Sequence, residues 1–259
     1  MSNRKVALIT GAGTGVGAAT ALLLAQNGYN VLVNYSRSET EARASEAVCQ
    51  AAGAQTLLMQ GDVAQDADCN ALAQAAFKQW GRIDVLVNNA GISNFDGLTN
   101  WPALTMELFQ RIYAVNTVGV FQMVRACVEH LKAVRGSVVN VSSMAGITGM
   151  GSSVPYIMSK GALNTLTLHL AGQLAPEIRV NAVCPGFITS RWFVDGVGQE
   201  AYDKIKATSE ERAPLKTATT PEDVAQAVWW LVAGARTVTG DLLKVDAGVH
   251  LGGGNRKLG

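Results

Sequence analysis

The sequence predicts an α/β fold: one doubly wound parallel sheet of about seven strands, with helices on both faces. Three observations carry that prediction. Short apolar runs of four to six residues alternate along the whole chain with longer stretches of helical spacing. Most of the runs lack polar alternation, as strands covered on both faces do. The chain also has 27 glycines but only 6 prolines in 259 residues, which suits many tight strand-to-helix turns.

Strands are predicted at Val6–Thr10, Asn30–Asn34, Thr56–Gln60, Ile83–Asn88, Ser137–Ser142, Ile178–Val183 and Leu242–Val245. Helical spacing fills about 16–27, 39–52, 66–80, 107–134, 156–174 and 221–234. Gly28 reads as a C-terminal cap, and Thr220-Pro221-Glu222-Asp223 as a helix start with a cap residue and Pro in the first turn. Strand–helix alternation implies right-handed crossovers. With no linker and no internal repeat, residues 1–259 read as one domain. The longest stretch without a strand, 187–220, holds Phe187, Trp192, Phe193 and Tyr202. An excursion of that length in a compact domain suggests a lid over a site, and its aromatics favour one with short helices.

Composition excludes several classes of function. Hydrophobic residues are 48% and charged residues 16%, enough for a sizeable core and against disorder. The net charge of +1 argues against a nucleic-acid partner, which needs clustered cations. Cys49, Cys69, Cys127 and Cys184 are far apart, and His130, His169 and His250 have no zinc-like spacing. No metal site or disulfide framework is expected, and the cysteines read as small core residues. Val6–Ile9 is too short for a signal peptide, and the uncharged stretch 136–159 is too rich in Ser, Gly and Asn to span a bilayer. The expectation is a cytoplasmic chain with no membrane partner.

The first strand ends in Thr10-Gly11-Ala12-Gly13-Thr14-Gly15-Val16-Gly17 and leads into a helix. Glycine lets a backbone approach a pyrophosphate closely, and the following helix offers its N-terminal N–H groups. The second strand leads into Tyr35-Ser36-Arg37, and the nearest acid is Glu39. Nicotinamide sites that select NAD usually place an acid there for the ribose 2′-OH. Arg37 could pair instead with a 2′-phosphate. The reading favours NADP (NADPH) over NAD.

Tyr156 and Lys160 sit one helical turn apart behind Pro155. Ser143 closes the preceding strand thirteen residues upstream, Asn88-Asn89-Ala90-Gly91 closes an earlier one, and Asn116 lies within a long helical stretch. Lys160 is the one Lys, Arg, Asp or Glu in 136–176. A core would hardly keep an ammonium without a use or a partner.

From end to end the chain resembles the short-chain dehydrogenase/reductases. The resemblance is carried, in family order, by Thr10–Gly17, Asp62, Asn88–Gly91, Asn116, Ser143, Tyr156/Lys160, Asn181 with Pro185-Gly186 and Ile188-Thr189, and Thr239-Gly240 with Val245–Gly248. Ala247 departs from a second glycine common there. The resemblance implies a Rossmann-type fold and a catalytic tetrad of Asn116, Ser143, Tyr156 and Lys160. It implies that Asp62 and Val63 border the adenine, that Asn89, Ala90 and Gly91 line the cofactor cleft, and that Pro185, Gly186, Ile188 and Thr189 hold the nicotinamide. It places Asn116 behind Lys160, holding a water in a proton relay. It also implies a homodimer or homotetramer packed through 107–134 and 156–174. Val120, Phe121, Val124, Leu163, Leu166 and Leu170 fit helices that bury more than one face.

Elementary electrostatics supports these roles. Lowering a phenol by about 3 units requires about 4 kcal/mol of anion stabilisation. One cation about 5 Å away at an effective dielectric near 20 supplies roughly 3 kcal/mol. Ser143 can donate to an oxygen on which charge develops. The expected function is interconversion of a secondary alcohol and a ketone on a small-molecule substrate. A 3-oxoacyl thioester, a sugar, a steroid or a small ketone would each fit. Phe95, Met150, Val154, Trp192 and Phe193 suggest an apolar pocket. The alternative is a non-catalytic NADP-binding redox sensor. A methyltransferase would leave Tyr156 and Lys160 without a reason, and no serine sits in the Gly-x-Ser-x-Gly setting of a hydrolase.

Overall fold

The structure, a computed structural model, describes residues 4–95 and 100–252. Its strands are β1 (Val6–Ile9), β2 (Asn30–Tyr35), β3 (Thr56–Gln60), β4 (Val85–Asn88), β5 (Ser137–Val141), β6 (Arg179–Pro185) and β7 (Leu242–Val245). Its helices are α1 (Gly15–Gln26), α2 (Glu39–Ala51), α3 (Asp66–Trp80), α4 (Met106–Tyr113), α5 (Gly119–Ala133), α6 (Ala145–Thr148), α7 (Val154–Leu174), α8 (Arg191–Val197), α9 (Gln199–Arg212) and α10 (Pro221–Trp229). The sheet order is β3-β2-β1-β4-β5-β6-β7, and every pair is parallel.

Strand periodicity sends alternate side chains to opposite faces, and here both faces are apolar. Ala7, Ile9, Val31, Val33, Val85 and Val87 pack with α1, α2 and α10 through Ala21, Leu24, Ala42 and Val228. Val6, Leu8, Leu32, Leu86 and Val138 pack on the other face with α3, α5 and α7 through Leu72, Trp80, Met123, Leu131 and Leu170. The four cysteines are buried free thiols. Among the described residues, no helix is long and apolar enough to cross a membrane.

The turn chemistry read from the sequence is in place. Gly28 follows α1 at φ +83°. Thr220 and Asp223 form a reciprocal capping box with Pro221 in the first turn. The stretch 107–134 differs from the single helix expected. It is α4 and α5 joined by a π turn, Ala114–Val118, with Asn116 inside it. A π turn has the same apolar spacing as a helix on either side, so hydrophobic periodicity does not reveal it. The 187–220 stretch holds α8 and α9, whose residues include none that is buried.

The edge where the strands begin is fixed by ionic groups. Asp84 accepts the Val6 N–H at 2.8 Å and a fork from Arg82 at 2.6 and 2.8 Å. The Arg179 guanidinium donates to the carbonyls of Leu231, Val232 and Ala235, satisfying groups that the end of a helix leaves unpaired.

Candidate active site

Strand order reverses between β1 and β4, and in such sheets the ligand crevice opens outside the C-terminal strand ends at that point. A cavity of about 1340 Å³ lies there, lined from the Gly-rich turn at one end to α8 and α9 at the other. Sites for one drug-sized ligand are about 300–1,000 Å³, so this volume suits two molecules side by side.

The Gly-rich end is held by polar staples between strand ends. The Thr10 hydroxyl accepts the N–H groups of Asn89 and Ala90, each at 3.0 Å. The Asn89 amide donates back to the carbonyls of Thr10 and Gly11 at 3.0 and 2.9 Å. Asn34 accepts the Gly11 N–H at 3.2 Å and donates to the Gly61 carbonyl at 3.0 Å, tying the ends of β1, β2 and β3 together. A Cβ on Gly17 would fall 2.3 Å from the Gly11 carbonyl oxygen and 2.5 Å from Asn89 Nδ2. Gly17→Ala is therefore expected to push α1 off the loop and weaken cofactor binding at least tenfold, measured by titration of NADPH fluorescence. Unchanged affinity would show that the close approach is dispensable.

The N-terminus of α1 has no side-chain cap and no acid in its first turn, and Gly15 and Val16 face the cavity. Such an end favours an anion. Tyr35, Ser36 and Arg37 line the cavity, with Arg37 exposed. Glu39 does not oppose it there, because its carboxylate pairs with Arg43 at 2.6 Å.

At the other end, β5 delivers Ser143 and the first two turns of α7 deliver Tyr156 and Lys160 to the same cavity. Lys160 is 4% exposed, and its Nζ donates to the Val141 carbonyl at 2.8 Å. It lies 5.7 Å from the centre of the Tyr156 ring. Burial lowers Lys160 to about 8. Burial raises Tyr156 above its ordinary value, while its hydrogen bond with Ser143 pulls it back down. The charge of Lys160 is not among the influences that move Tyr156. Desolvation is the largest cause for both groups and moves each toward its neutral form.

Asn116 is fully buried behind this site. Its Oδ1 accepts the Ile92 N–H at 2.9 Å, and its Nδ2 donates to the Ile92 carbonyl at 2.9 Å and to Ser159 Oγ at 3.0 Å. A Cβ on Gly91 would stand 3.5 Å from Asn116 Oδ1 and 3.7 Å from Lys160 Nζ, so both groups border one spot.

The far wall comes from 187–220 and the loop after β4. Trp192 lies 6.1 Å from the Tyr156 ring, and Phe95 and Phe193 meet its ring at 4.8 and 5.0 Å. Arg191 reaches from α8 to Glu41 of α2 at 2.9 Å, linking the two rims of the cleft.

Most of the residues singled out in the sequence line the cavity, including Thr14, Asp62, Val63, Ala90, Pro185, Gly186 and Ile188. Gly17, Asn116 and Thr189 are not among its lining. Thr189 donates both its N–H and its hydroxyl to the Thr219 carbonyl, at 2.9 and 3.4 Å. Val154 also stands outside the lining, whereas Phe95, Met150, Trp192 and Phe193 belong to it. Sequence reasoning missed Asn34 as an organiser, although an amide at the end of the buried run Asn-Val-Leu-Val-Asn-Tyr was a visible signal. It also missed the pair at the cavity's edge in which His250 Nδ1 contacts both Asp246 oxygens at 2.8 and 2.9 Å.

Comparison with known proteins agrees with this architecture. A family model described as enoyl-(acyl carrier protein) reductase matches residues 11–250. The solved structure of a short-chain dehydrogenase/reductase from Burkholderia xenovorans is 40% identical, with a TM-score of 0.89 over 97% of this chain and 100% of that one. The chain belongs to the short-chain dehydrogenase/reductase family and is an oxidoreductase of the nicotinamide-dependent type. A protein named as a ketoacyl reductase of the granaticin polyketide synthase of Streptomyces violaceoruber is 39% identical over 95% of this chain and 96% of its own length. The 3-oxoacyl-acyl-carrier-protein reductase of Staphylococcus aureus is 33% identical over 97% and 100%. Glucose 1-dehydrogenase 2 of Bacillus subtilis is 32% identical over 95% of each chain. These names span different substrates, so kinship gives the reaction class and leaves the substrate to the site.

Proposed function

We propose that this chain is an NADP-preferring oxidoreductase that reduces a ketone to a secondary alcohol, with Tyr156 as the proton donor. The observation that carries the reading is the convergence of Ser143, Tyr156 and Lys160 on one cavity whose other end is an uncapped helix N-terminus. That end fits a dinucleotide. Gly15 and Val16 would receive the pyrophosphate, Asp62 and Val63 would border the adenine, and Arg37 with Ser36 would meet a 2′-phosphate. Asn89, Ala90, Gly91, Pro185, Gly186 and Ile188 would surround the nicotinamide, with Thr189 bracing that wall from behind. Bound there, the cofactor supplies the hydride.

The chain's own residues supply the proton and the charge stabilisation. A phenol raised by burial stays protonated through neutral pH, as an acid for ketone reduction must be. Tyr156 gives its proton to the ketone oxygen while Ser143 donates a hydrogen bond to the same oxygen. The Lys160 ammonium stabilises the phenolate left behind. Asn116 holds the loop at Ile92 against α7 and borders the path by which Lys160 regains contact with water. The relatives named for ketoacyl and 3-oxoacyl reduction place a 3-oxoacyl thioester among the substrates to test.

Arg37→Ala is expected to weaken NADPH binding about tenfold or more, as for loss of a charge-assisted hydrogen bond, and to leave NADH unchanged. Equal losses for the two cofactors would count against the 2′-phosphate role. The direct test is NADPH and NADH oxidation followed in parallel over a panel of ketones. Turnover faster with NADH would overturn the cofactor preference alone.

The 187–220 segment acts as the lid, and the assembly is a cytoplasmic homodimer or homotetramer. Exposed Val118, Phe121, Met158 and Leu168 on the α5 and α7 side support that assembly. Val120, Val124, Leu163 and Leu170, expected there from spacing, are buried within the chain's own core.

A further inference from the structure

We infer that the cavity end beyond Tyr156 receives a flat aromatic ring attached to the reacting ketone, with Trp192 as the residue that selects it. This rests on the ketone-reductase reading above. The chain has 6 Phe, 5 Tyr and 5 Trp, only 6% of its residues. Yet Tyr156, Trp192, Phe95, Phe193, Phe187 and Tyr202 form one connected cluster of rings there. Composition does not explain that concentration.

A simple hydrophobic core would bury its large side chains. Here Trp192 keeps 38% of its surface exposed and Met150 keeps 71%, and both line the cavity. The wall is also held in place. Phe95 and Phe193 stand at 70° and 89° to the Trp192 ring, a favourable edge-to-face geometry. Phe95 in turn lies directly on α8, because a Cβ on Gly196 would fall 2.4 Å from its ring carbons. Trp192 is thus a braced indole platform tilted 44° to the proton-donating phenol. A ring stacked on it would project an attached carbonyl toward Tyr156 and Ser143.

Two hydroxyls of this wall are engaged within the chain. The Ser152 hydroxyl is bonded to that of Ser93, and the Thr148 hydroxyl donates to the Met144 carbonyl at 2.9 Å. The cavity also carries Ser190, Lys204, Ser209 and Arg212, so a sugar-derived substrate is included in the test.

The experiment compares NADPH-dependent reduction of 1-tetralone, 2-decanone, an acetoacetyl thioester and the lactone formed by glucose oxidation. The expected result is a kcat/KM for 1-tetralone about tenfold or more above that for 2-decanone, the scale of one good aromatic stack. Trp192→Ala is expected to bring that ratio close to one, mainly through KM. Trp192→Phe is expected to keep it, and Gly196→Ala, which must displace Phe95, to lower it. Quenching of tryptophan fluorescence by 1-tetralone, lost in Trp192→Phe, reports the ring's binding without turnover. A ratio unmoved by Trp192→Ala, or a preference for the alkyl, thioester or sugar-derived substrate, overturns the inference and leaves the reductase reading standing. Absence of turnover on every carbonyl, with NADPH bound, overturns the reductase reading. The quenching titration then decides the ring site separately.

Discussion

Tyr156→Phe is expected to lower turnover by about 10²–10⁴-fold, the range for loss of a general acid, while NADPH binding stays near wild type. The substitution removes one oxygen from a ring whose packing against Trp192 is otherwise kept. Its effect should therefore fall on kcat and not on the melting temperature. Single-turnover oxidation of bound NADPH is the measurement that isolates the step. Wild-type turnover in this variant would move the proton donor elsewhere in the cavity.

Lys160→Met should abolish most turnover and yet raise the melting temperature at pH 6.5. Lys160 has an ordinary value of 10.5 and is brought to about 8 by burial. Between those two values the unfolded chain holds a proton that the folded chain has released. Stability from this group therefore rises with pH across that window, and the penalty is fully present below about pH 8. It amounts to roughly 3 kcal/mol at most. Removing the ammonium also leaves the Val141 carbonyl without its 2.8 Å partner, a loss of about 1 kcal/mol. The net gain should be a few degrees in a chain of this size. It should fall as pH rises above about 8 and reverse above 10.5. There the wild-type lysine is neutral in both states and only the lost Val141 bond, about 1 kcal/mol, remains. A variant that melts lower than wild type at pH 6.5 would contradict the burial argument. In the wild type, kcat/KM for ketone reduction should fall as pH rises above about 8, because the neutral amine no longer stabilises the phenolate.

Much of this molecule is legible in its sequence. The seven strands were visible because each is a short apolar run buried on both faces, and periodicity reports that directly. Tyr156 and Lys160 were visible because an uncharged stretch kept one ammonium. The π turn around Asn116 was not, since inserting one residue into a helical turn leaves the flanking apolar spacing intact. The short helices of 187–220 were expected from its aromatics, but their bounds were not legible, because they bury no stripe of their own. Asn34 escaped for another reason: its importance lies in three backbone partners supplied by the turn after β1 and by β3 and its end, which one strand's sequence does not display. The protonation state of the reacting pair also needed three dimensions, because burial set both shifts and the sequence offers only nearness.

The guanidinium and carboxylate fixtures at the strand beginnings have a practical outcome. Arg82, Asp84 and Arg179 clamp one rim, and all the proposed chemistry sits on the opposite rim, with the length of the strands between them. Mutational libraries confined to 187–220 can thus explore new specificities without loosening the foundation. Thermostabilising changes made around Asp84 should in turn be silent toward catalysis.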